Sequence, residues 1–302
     1  MRPPKLNRRT FLALAAPAAT AHAITPIQRP GTPRFQHALA AYSFRQFFPY
    51  LKNKKQSAPE NAAQIDMFGF IDYCADHNVG AELTSYFFPP DAGTGYFHRI
   101  RHHAFIRGVP VTGTAVGNDF AHPQGDARQA QIEYTKKWID HAAEMGAPHI
   151  RVFAGPEKKS LPKEESKKLC AAALQECCAY AGSKGIFLGL ENHGGIVAAA
   201  SDLLDLVHAV DSPWFGINLD TGNFHTADPY GDLAKCAPYA INVQLKVTVR
   251  PAGKPDEPAD LNRLANILRN ANYQGNLTLE YEAKDDPFEA VPKYLTQLKK
   301  HF

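Results

Sequence analysis

The chain has 302 residues, 44% of them hydrophobic and 21% charged, which is ample for one large buried core. Its 33 Lys and Arg against 30 Asp and Glu give a formal +3, but Arg2, Lys5, Arg8 and Arg9 fall, with no acid, in the first 23 residues, leaving 29 basic against 30 acidic residues beyond them. A chain so balanced carries no basic stripe, so nucleic acid is excluded as the expected partner.

In chain order, residues 1–23 read as an export leader. Arg8-Arg9-Thr10-Phe11-Leu12 has the twin-arginine pattern, Phe11–Ala19 is a modest apolar run, and Ala21-His22-Ala23 is an A-x-A cleavage site. The run is too short to span a bilayer, and nothing later is long and apolar enough. The expectation is a periplasmic or otherwise exported protein, free of the membrane once the leader is cut. The mature domain is then 24–302.

Residues 24–36 are Pro-rich and read as an extended lead-in. Strands and helices then alternate: strands at Ala38–Phe44, Ala81–Phe87, Val109–Val116, His149–Phe153, Ile186–Leu190, Phe215–Leu219, Ile241–Val249 and Asn276–Tyr281. Helices read at Asp66–His77, Tyr96–Arg107, Asp126–Met145, Lys163–Ser183, Ser201–Val210, Gly231–Pro238, Asp260–Ala271 and Phe288–Lys300, with Asp126 as an N-cap and Gly146 as a stop. Eight strand–helix units in strict alternation predict a single (β/α)8 TIM barrel. An open doubly wound sheet is the alternative, but the first strand runs into Ser43-Phe44-Arg45-Gln46 rather than a Gly-rich phosphate turn. Residues 51–60 and Arg250–Pro258 are polar insertions, the second expected over the barrel mouth. The five cysteines form no C-x-x-C pair; the three in one helix segment, Cys170, Cys177 and Cys178, read as packing residues, with disulfides left open by the exported setting.

The fifth strand ends in Glu191-Asn192-His193-Gly194-Gly195. Three more end alike: the sixth in Asp220-Thr-Gly-Asn223, the seventh in Gln244-Leu-Lys246, the eighth in Glu280-Tyr-Glu282. Glu191, Asp220, Gln244 and Glu280 are separated by 29, 24 and 36 residues, each about one βα repeat. On a barrel they meet at the C-terminal mouth. Alternation puts Glu191 with His193, Asn218 with Asp220, Gln244 with Lys246 and Glu280 with Glu282 on shared faces. Three converging carboxylates repel unless they take up protons or a cation. Oxygen donors without sulfur suit Mg2+, Mn2+ or Co2+. Asn192, His193, Asn223 and Lys246 are placed to brace such a site or to touch substrate. A single Glu after a strand is usually a cap or a surface residue; four in phase are not. Glu82 and Arg151 have the same look on the second and fourth strands, against the bland reading of internal hydrogen-bonding groups. His149 starts its strand and falls at the far end, while His102, His103 and His208 lie on helices. Phe47, Phe48, Tyr86, Phe87 and Phe88 are candidates for lining the pocket, or are plain packing.

With these residues in place, the chain resembles the sugar phosphate isomerase/epimerase family of the xylose isomerase-like TIM barrel superfamily, over nearly all of its mature length. The likeness rests on Leu-Glu191-Asn-His, Leu-Asp220-Thr-Gly-Asn, Val-Gln244-Leu-Lys246 and Leu-Glu280-Tyr-Glu. It implies a divalent metal on Glu191, Asp220, Gln244 and Glu280, with Mn2+ or Mg2+ ahead of Co2+ or Zn2+. The expected catalytic residues are Glu191, Glu280, Lys246 and His193, and the expected substrate contacts are Glu82, Arg151, Asn223 and Glu282. Two positions depart from the pattern: Asn223 and Gln244 stand where many members have histidine. Both departures disfavour the endonuclease branch and make a plain free-ketose epimerase less secure.

The chemistry expected is proton abstraction beside a carbonyl through a metal-stabilised enediolate, giving a sugar isomerase or epimerase. Elimination from the same carbanion makes a lyase or dehydratase on keto-sugars or 3-keto-glycosides the runner-up. A non-catalytic carbohydrate-binding barrel and a metal-free glycoside hydrolase using Glu191 and Glu280 are further alternatives. The partner in each case is a small carbohydrate. Assembly is left open, with a homodimer or tetramer as candidates.

Overall fold

The computed structural model describes residues 24–302 apart from position 61, and the expected leader lies outside them. Eight barrel strands alternate with eight helices in the described residues, beside four two-residue strands that form two short separate ladders. The strands are β1 Arg34–Ala40, β2 Gly80–Thr84, β3 Val111–Ala115, β4 His149–Val152, β5 Phe187–Glu191, β6 Phe215–Asp220, β7 Ala240–Leu245 and β8 Gln274–Leu279. The helices are α1 Met67–Asp76, α2 Thr94–Ile106, α3 Asp126–Met145, α4 Lys163–Ser183, α5 Ala200–Ala209, α6 Pro229–Cys236, α7 Leu261–Asn270 and α8 Pro287–His301. Each strand pairs in parallel with its neighbours, and β1 closes on β8, so the sheet is a closed barrel. The predicted (β/α)8 barrel is therefore the fold.

Strand residues such as Leu188, Leu190, Ile217 and Leu219 are fully or almost fully buried, because helices cover the outside of the sheet and side chains fill its inside. α3 and α4 were legible to the residue, but Asp126 is the first helical residue of α3, and Gly125 is its cap. Asp66, Asp228 and Asp260 cap α1, α6 and α7 by accepting backbone N–H bonds, satisfying donors a helix start leaves free.

The first strand lies about four residues earlier than expected. Arg34–Ala40 form it, and the apolar run Ala41–Phe44 turns into a 3-10 helix, so part of the expected lead-in is strand. The second strand likewise stops at Thr84, and Ser85–Phe87 curl into a 3-10 turn. β7 ends at Leu245; Thr248–Val249 belong to a separate short ladder with Glu257–Pro258. All five cysteines are buried and free, as packing residues. No helix among the described residues is long and apolar enough to cross a membrane.

Barrel register prepares the site. Glu191 lies opposite Asn218, Asn218 opposite Asn242, and Asp220 opposite Gln244, which lies opposite Thr278. Polar groups from four adjacent strands thus reach one level near the C-terminal mouth.

Candidate active site

The mouth holds a cavity of about 150 Å3 walled by Tyr42, Lys52, Tyr86, Arg151, Phe153, Glu191, His193, Asn223, Lys246, Glu280 and Glu282. Six candidates from the strand ends and both departures from pattern are here or one contact behind. Glu191 is buried on the end of β5, with Arg151 Nε 2.8 Å from its Oε2 and Asn223 Nδ2 donating to its Oε1 at 2.9 Å. Arg151 also donates to the Val116 carbonyl at 2.8 Å and lies 3.9 Å over the Phe153 ring, so its guanidinium is fixed on three sides.

Asp220 ends β6 fully buried. Its Oδ1 accepts from Gly222 N at 2.9 Å, while its Oδ2 makes no hydrogen bond and lies 3.5 Å from Lys246 Nζ. Asn192 clamps the Asp220 backbone, donating to its carbonyl and accepting from its N–H, each at 2.8 Å. Lys246 reaches three carboxylates: Asp220, and by direct contact Glu280 and Glu282. Its backbone N–H donates to Thr221 Oγ1 at 2.9 Å, which sets where the side chain starts.

Behind these carboxylates runs a chain of buried polar groups. Thr278 Oγ1 donates to Asn242 Oδ1 (3.4 Å), Asn242 Nδ2 to Asn218 Oδ1 (2.8 Å), and Asn218 Nδ2 to Gln244 Oε1 (2.6 Å). Gln244 Nε2 then donates to Glu280 Oε2 at 2.6 Å and to Glu82 Oε2 at 3.1 Å. Glu82, the most buried candidate on β2, thereby joins the site, and Thr84 donates to its Oε1 at 3.4 Å.

Charge and burial pull against each other here. Desolvation first, then the neighbouring Glu280, pushes the Glu82 carboxyl up to about 7, against the attraction of Arg151. Asp220 is pushed up to about 7 by desolvation, against the pull of Lys246 and with the repulsion of Glu280. Glu191 is raised by burial despite Arg151. Lys246 loses solvation, but Asp220, Glu280 and Glu282 outweigh that and hold it protonated. Glu282, nearer the rim, is lowered: desolvation is the largest single effect and raises it, but the charge and hydrogen bond of Lys246, with the charges of Arg45 and Arg250, together outweigh it.

Five carboxylates (Glu82, Glu191, Asp220, Glu280, Glu282) face two cations (Arg151, Lys246), an excess of negative charge that protons or a divalent cation would relieve. The donor set is hard oxygen, and the buried Asp220 Oδ2 makes no hydrogen bond and faces only the Lys246 ammonium, so the residues fit a divalent metal in chemistry and charge. The described residues gather no three His, Cys, Asp or Glu side chains into a ready ligand cluster, and Gln244 turns its nitrogen toward the carboxylates.

His193 projects at the open rim with its ring 4.3 Å from Phe153. Desolvation by the crowded rim, with the charges of Arg151 and Lys246, depresses its pKa, and its exposure to solvent limits that effect. Gly194 and Gly195 follow with φ of 63° and 55°, and a Cβ on Gly195 would come within 2.3 Å of the Gly155 carbonyl. The pair therefore serves a left-handed turn beneath a passing backbone. His149 is at the far end of β4, as expected, outside the cavity walls.

Of the five candidate aromatics, Tyr86 alone walls the mouth cavity. Phe48 and Phe87 stack on one another at 4.5 Å in the core, Phe47 packs on Phe288, and Phe88 packs among Phe97 and Trp138. Tyr42, Lys52 and Phe153 were not anticipated. Tyr42 and Phe153 each follow a barrel strand by one or two residues, a positional signal that was available; Lys52 sits in an insertion hairpin and left none. The loop after β7, expected over the mouth, lies beside it: Arg250 and Asp256, paired at 3.1 Å, line an adjoining cavity and none of the loop walls the mouth cavity itself.

A closed parallel barrel with acidic groups gathered at the C-terminal ends of its strands defines the class: a (β/α)8 barrel with an enzyme-type mouth. Within that class the chain belongs to the xylose isomerase-like TIM barrel family, whose model matches residues 68–300. No curated protein matches it. Among solved structures it is similar to a xylose isomerase domain protein from Planctomyces limnophilus (19% identity, 90% of this chain and 98% of that one, TM-score 0.61). It is similar also to 3-keto-D-glucoside 4-epimerase from E. coli (17%, 88% and 100%, 0.65) and to D-psicose 3-epimerase from Clostridium cellulolyticum H10 (15%, 85% and 89%, 0.65). At such identities the likeness is one of fold.

Proposed function

We propose that the protein is a divalent-metal-dependent isomerase or epimerase of a sugar or sugar-derived keto compound. The observation that carries this reading is the arrangement of Glu191 and Glu280 in one small cavity, each held by its own cation and amide: Arg151 and Asn223 on the first, Lys246 and Gln244 on the second. Two such carboxylates can take a proton from one face of a carbon and return it to the other. Membership of the family and fold likeness to sugar epimerases support the same class.

Glu191, Asp220, Gln244 and Glu280 would hold the metal, which when bound polarises a substrate carbonyl. Lys246 places positive charge against Glu280 and beside the developing oxyanion, lowering the cost of charge there. Glu82 is a buried proton acceptor behind Gln244. Asn223, Glu282 and Arg151 contact substrate hydroxyls from the walls, and His193 at the rim moves a proton to or from a hydroxyl. Expulsion of a β-substituent by the same carbanion gives the lyase reading. Twin-arginine export of residues 1–23 is part of the proposal and puts the enzyme where sugars are unphosphorylated.

Purified protein incubated with keto-sugars in D2O tests this. Metal-dependent incorporation of deuterium beside the carbonyl is expected, and it should fall sharply in Glu191→Gln and Glu280→Gln. Failure of every keto-sugar to exchange, with any divalent metal, would overturn the enzyme reading.

A further inference from the structure

The mouth cavity is small, below the roughly 300–1,000 Å3 usual for drug-sized ligands. It does not stand alone. A second cavity of about 280 Å3 lies against it, and the two share Lys52 and Tyr86 as a common wall. The second, half open to solvent, is lined also by Asn53, Ser85, Gly117, Gln131 and Tyr134.

This side chamber is built rather than left over. Its roof is the turn of a short hairpin, Tyr50–Leu51 paired with Lys54–Lys55. The two turn residues, Lys52 and Asn53, both adopt left-handed backbone, φ 49° and 67°, without being glycine. That conformation costs free energy and persists where surroundings hold it. Here Lys52 N–H donates to the Tyr86 carbonyl at 2.8 Å, and Gln56 Nε2 ties the hairpin base to the carbonyls of Arg45 (2.6 Å) and Phe48 (2.9 Å). The Tyr86 ring is seated on Gly117, where a Cβ would come within 2.8 Å of it. Lys52 Nζ stands 4.9 Å over that ring and, among the described residues, has no carboxylate in ion-pair range.

The walls also carry hydrogen-bonding capacity that the protein does not use. Ser85 is 6% exposed, and its Oγ stands beside the Tyr134 hydroxyl without making a well-formed hydrogen bond. Gln131 spends its Oε1 on the Asp119 N–H at 3.0 Å and leaves its amide nitrogen for the chamber. Orphaned buried hydroxyls are rare unless something else satisfies them. Donors and hydroxyls interleaved with the rings of Tyr86 and Tyr134, and one cation without a second beside it, suit a neutral polyhydroxylated ring rather than a phosphate.

We propose that the substrate is a glycoside or disaccharide, with its reacting sugar at Glu191 and Glu280 and its second ring in the chamber between the Lys52–Asn53 turn and α3. This rests on the keto-sugar reading above and names the substrate class for that site. A further cavity sharing Asn53, Ser85 and Tyr134 leads on past Trp138, so a longer aglycone has room to continue outward.

The test compares 3-ketoglucose with the 3-keto derivative of a glucose disaccharide in the D2O exchange assay. The disaccharide derivative should have a kcat/KM at least about tenfold higher, and Tyr134→Ala or Lys52→Ala should raise its KM about tenfold more than that of the monosaccharide. Equal kcat/KM for the two, or variants that weaken both alike, would overturn the chamber assignment. A binding arm separates this from failure of the chemistry: saturation-transfer NMR with the unoxidised disaccharide should show contact to both rings in the wild type and to one ring in the variants. Contact to one ring in the wild type sinks the proposal even if no exchange is found with either keto-sugar, whereas contact to both without exchange sinks the activity alone.

Discussion

Gln244 donates its side-chain nitrogen to Glu280 Oε2 across 2.6 Å, with its side-chain oxygen accepting from Asn218 at the same distance. The amide has no freedom of its own, since its polarity is set by Asn218, Asn242 and finally Thr278. The chain ends in a hydroxyl, which can either donate or accept. Reversing every amide therefore keeps the relay bonded and turns the Gln244 oxygen toward the carboxylates, as a metal ligand must be. Loading with diamagnetic Mg2+ or Zn2+ is expected to shift the side-chain amide resonances of Asn218 and Asn242, neither of which would touch the metal. Resonances that stay put while the metal binds would show that Gln244 is no ligand.

The same relay predicts coupled stability effects. Asn218 and Asn242 are fully buried, and removing either leaves a neighbour's polar group unsatisfied, at about 1–3 kcal/mol. Asn218→Ala and Asn242→Ala should each lower the unfolding free energy by that order. The double variant should lose less than the sum by at least about 0.5 kcal/mol. Strict additivity in denaturant titrations would mean the two residues act independently.

Much of this was legible from spacing, and the limits are physical. Glu191, Asp220, Gln244 and Glu280 could be placed because a barrel repeats and a strand alternates, so sequence separation converts directly into position around the mouth. α3 and α4 could be placed because they are long and strongly punctuated. The end of β1 could not: Ala41–Phe44 are as apolar as the strand before them, and the switch to a 3-10 turn is made by closure against β8, where Ser43 accepts from the Tyr281 N–H. The contacts of Phe48 with Phe87, and of Lys52 with Tyr86, join segments whose approach depends on loop path, which no periodicity encodes. Asn242 was within reach, since it shares a strand face with Gln244.

Arg151 and Glu191 form a buried pair, with side chains 6% and 4% exposed. Removing one partner strands the other charge, so Arg151→Met should cost about 3–5 kcal/mol. The double variant Arg151→Met/Glu191→Gln should recover part of that loss, because neither charge is then buried alone. If the double variant is no more stable than Arg151→Met, the pair is not what holds this wall. Urea midpoints at constant m-value decide it.

A divalent metal at the mouth should also stabilise the fold by mass action, by about 2.7 kcal/mol at a hundredfold excess over its dissociation constant. Asp220→Asn removes a buried carboxylate oxygen that makes no hydrogen bond, and it should abolish most of that gain. Thermal unfolding with chelator and then with Mn2+ measures it. A metal-induced rise in Tm that survives in Asp220→Asn would place the cation elsewhere.

His149 supplies a pH dependence independent of the mouth. Its ring is 5% exposed at the start of β4, packed where Gly113 has no side chain: a Cβ there would lie 2.1 Å from it. Desolvation lowers its pKa to about 4, with a backbone hydrogen bond at Thr112 opposing and the Arg151 charge assisting. In the unfolded chain the group titrates near 6.5. The folded state therefore prefers the neutral ring. Its contribution is complete above about pH 6.5 and is lost as pH falls toward 4, since the unfolded chain takes up the proton first. At pH 5 the loss is about 2 kcal/mol by linkage, to order of magnitude. His149→Leu should leave a protein whose unfolding free energy falls less steeply between pH 7 and pH 5 than the wild type's. Parallel profiles for the two proteins would show that His149 is already charged in the fold or titrates alike in both states.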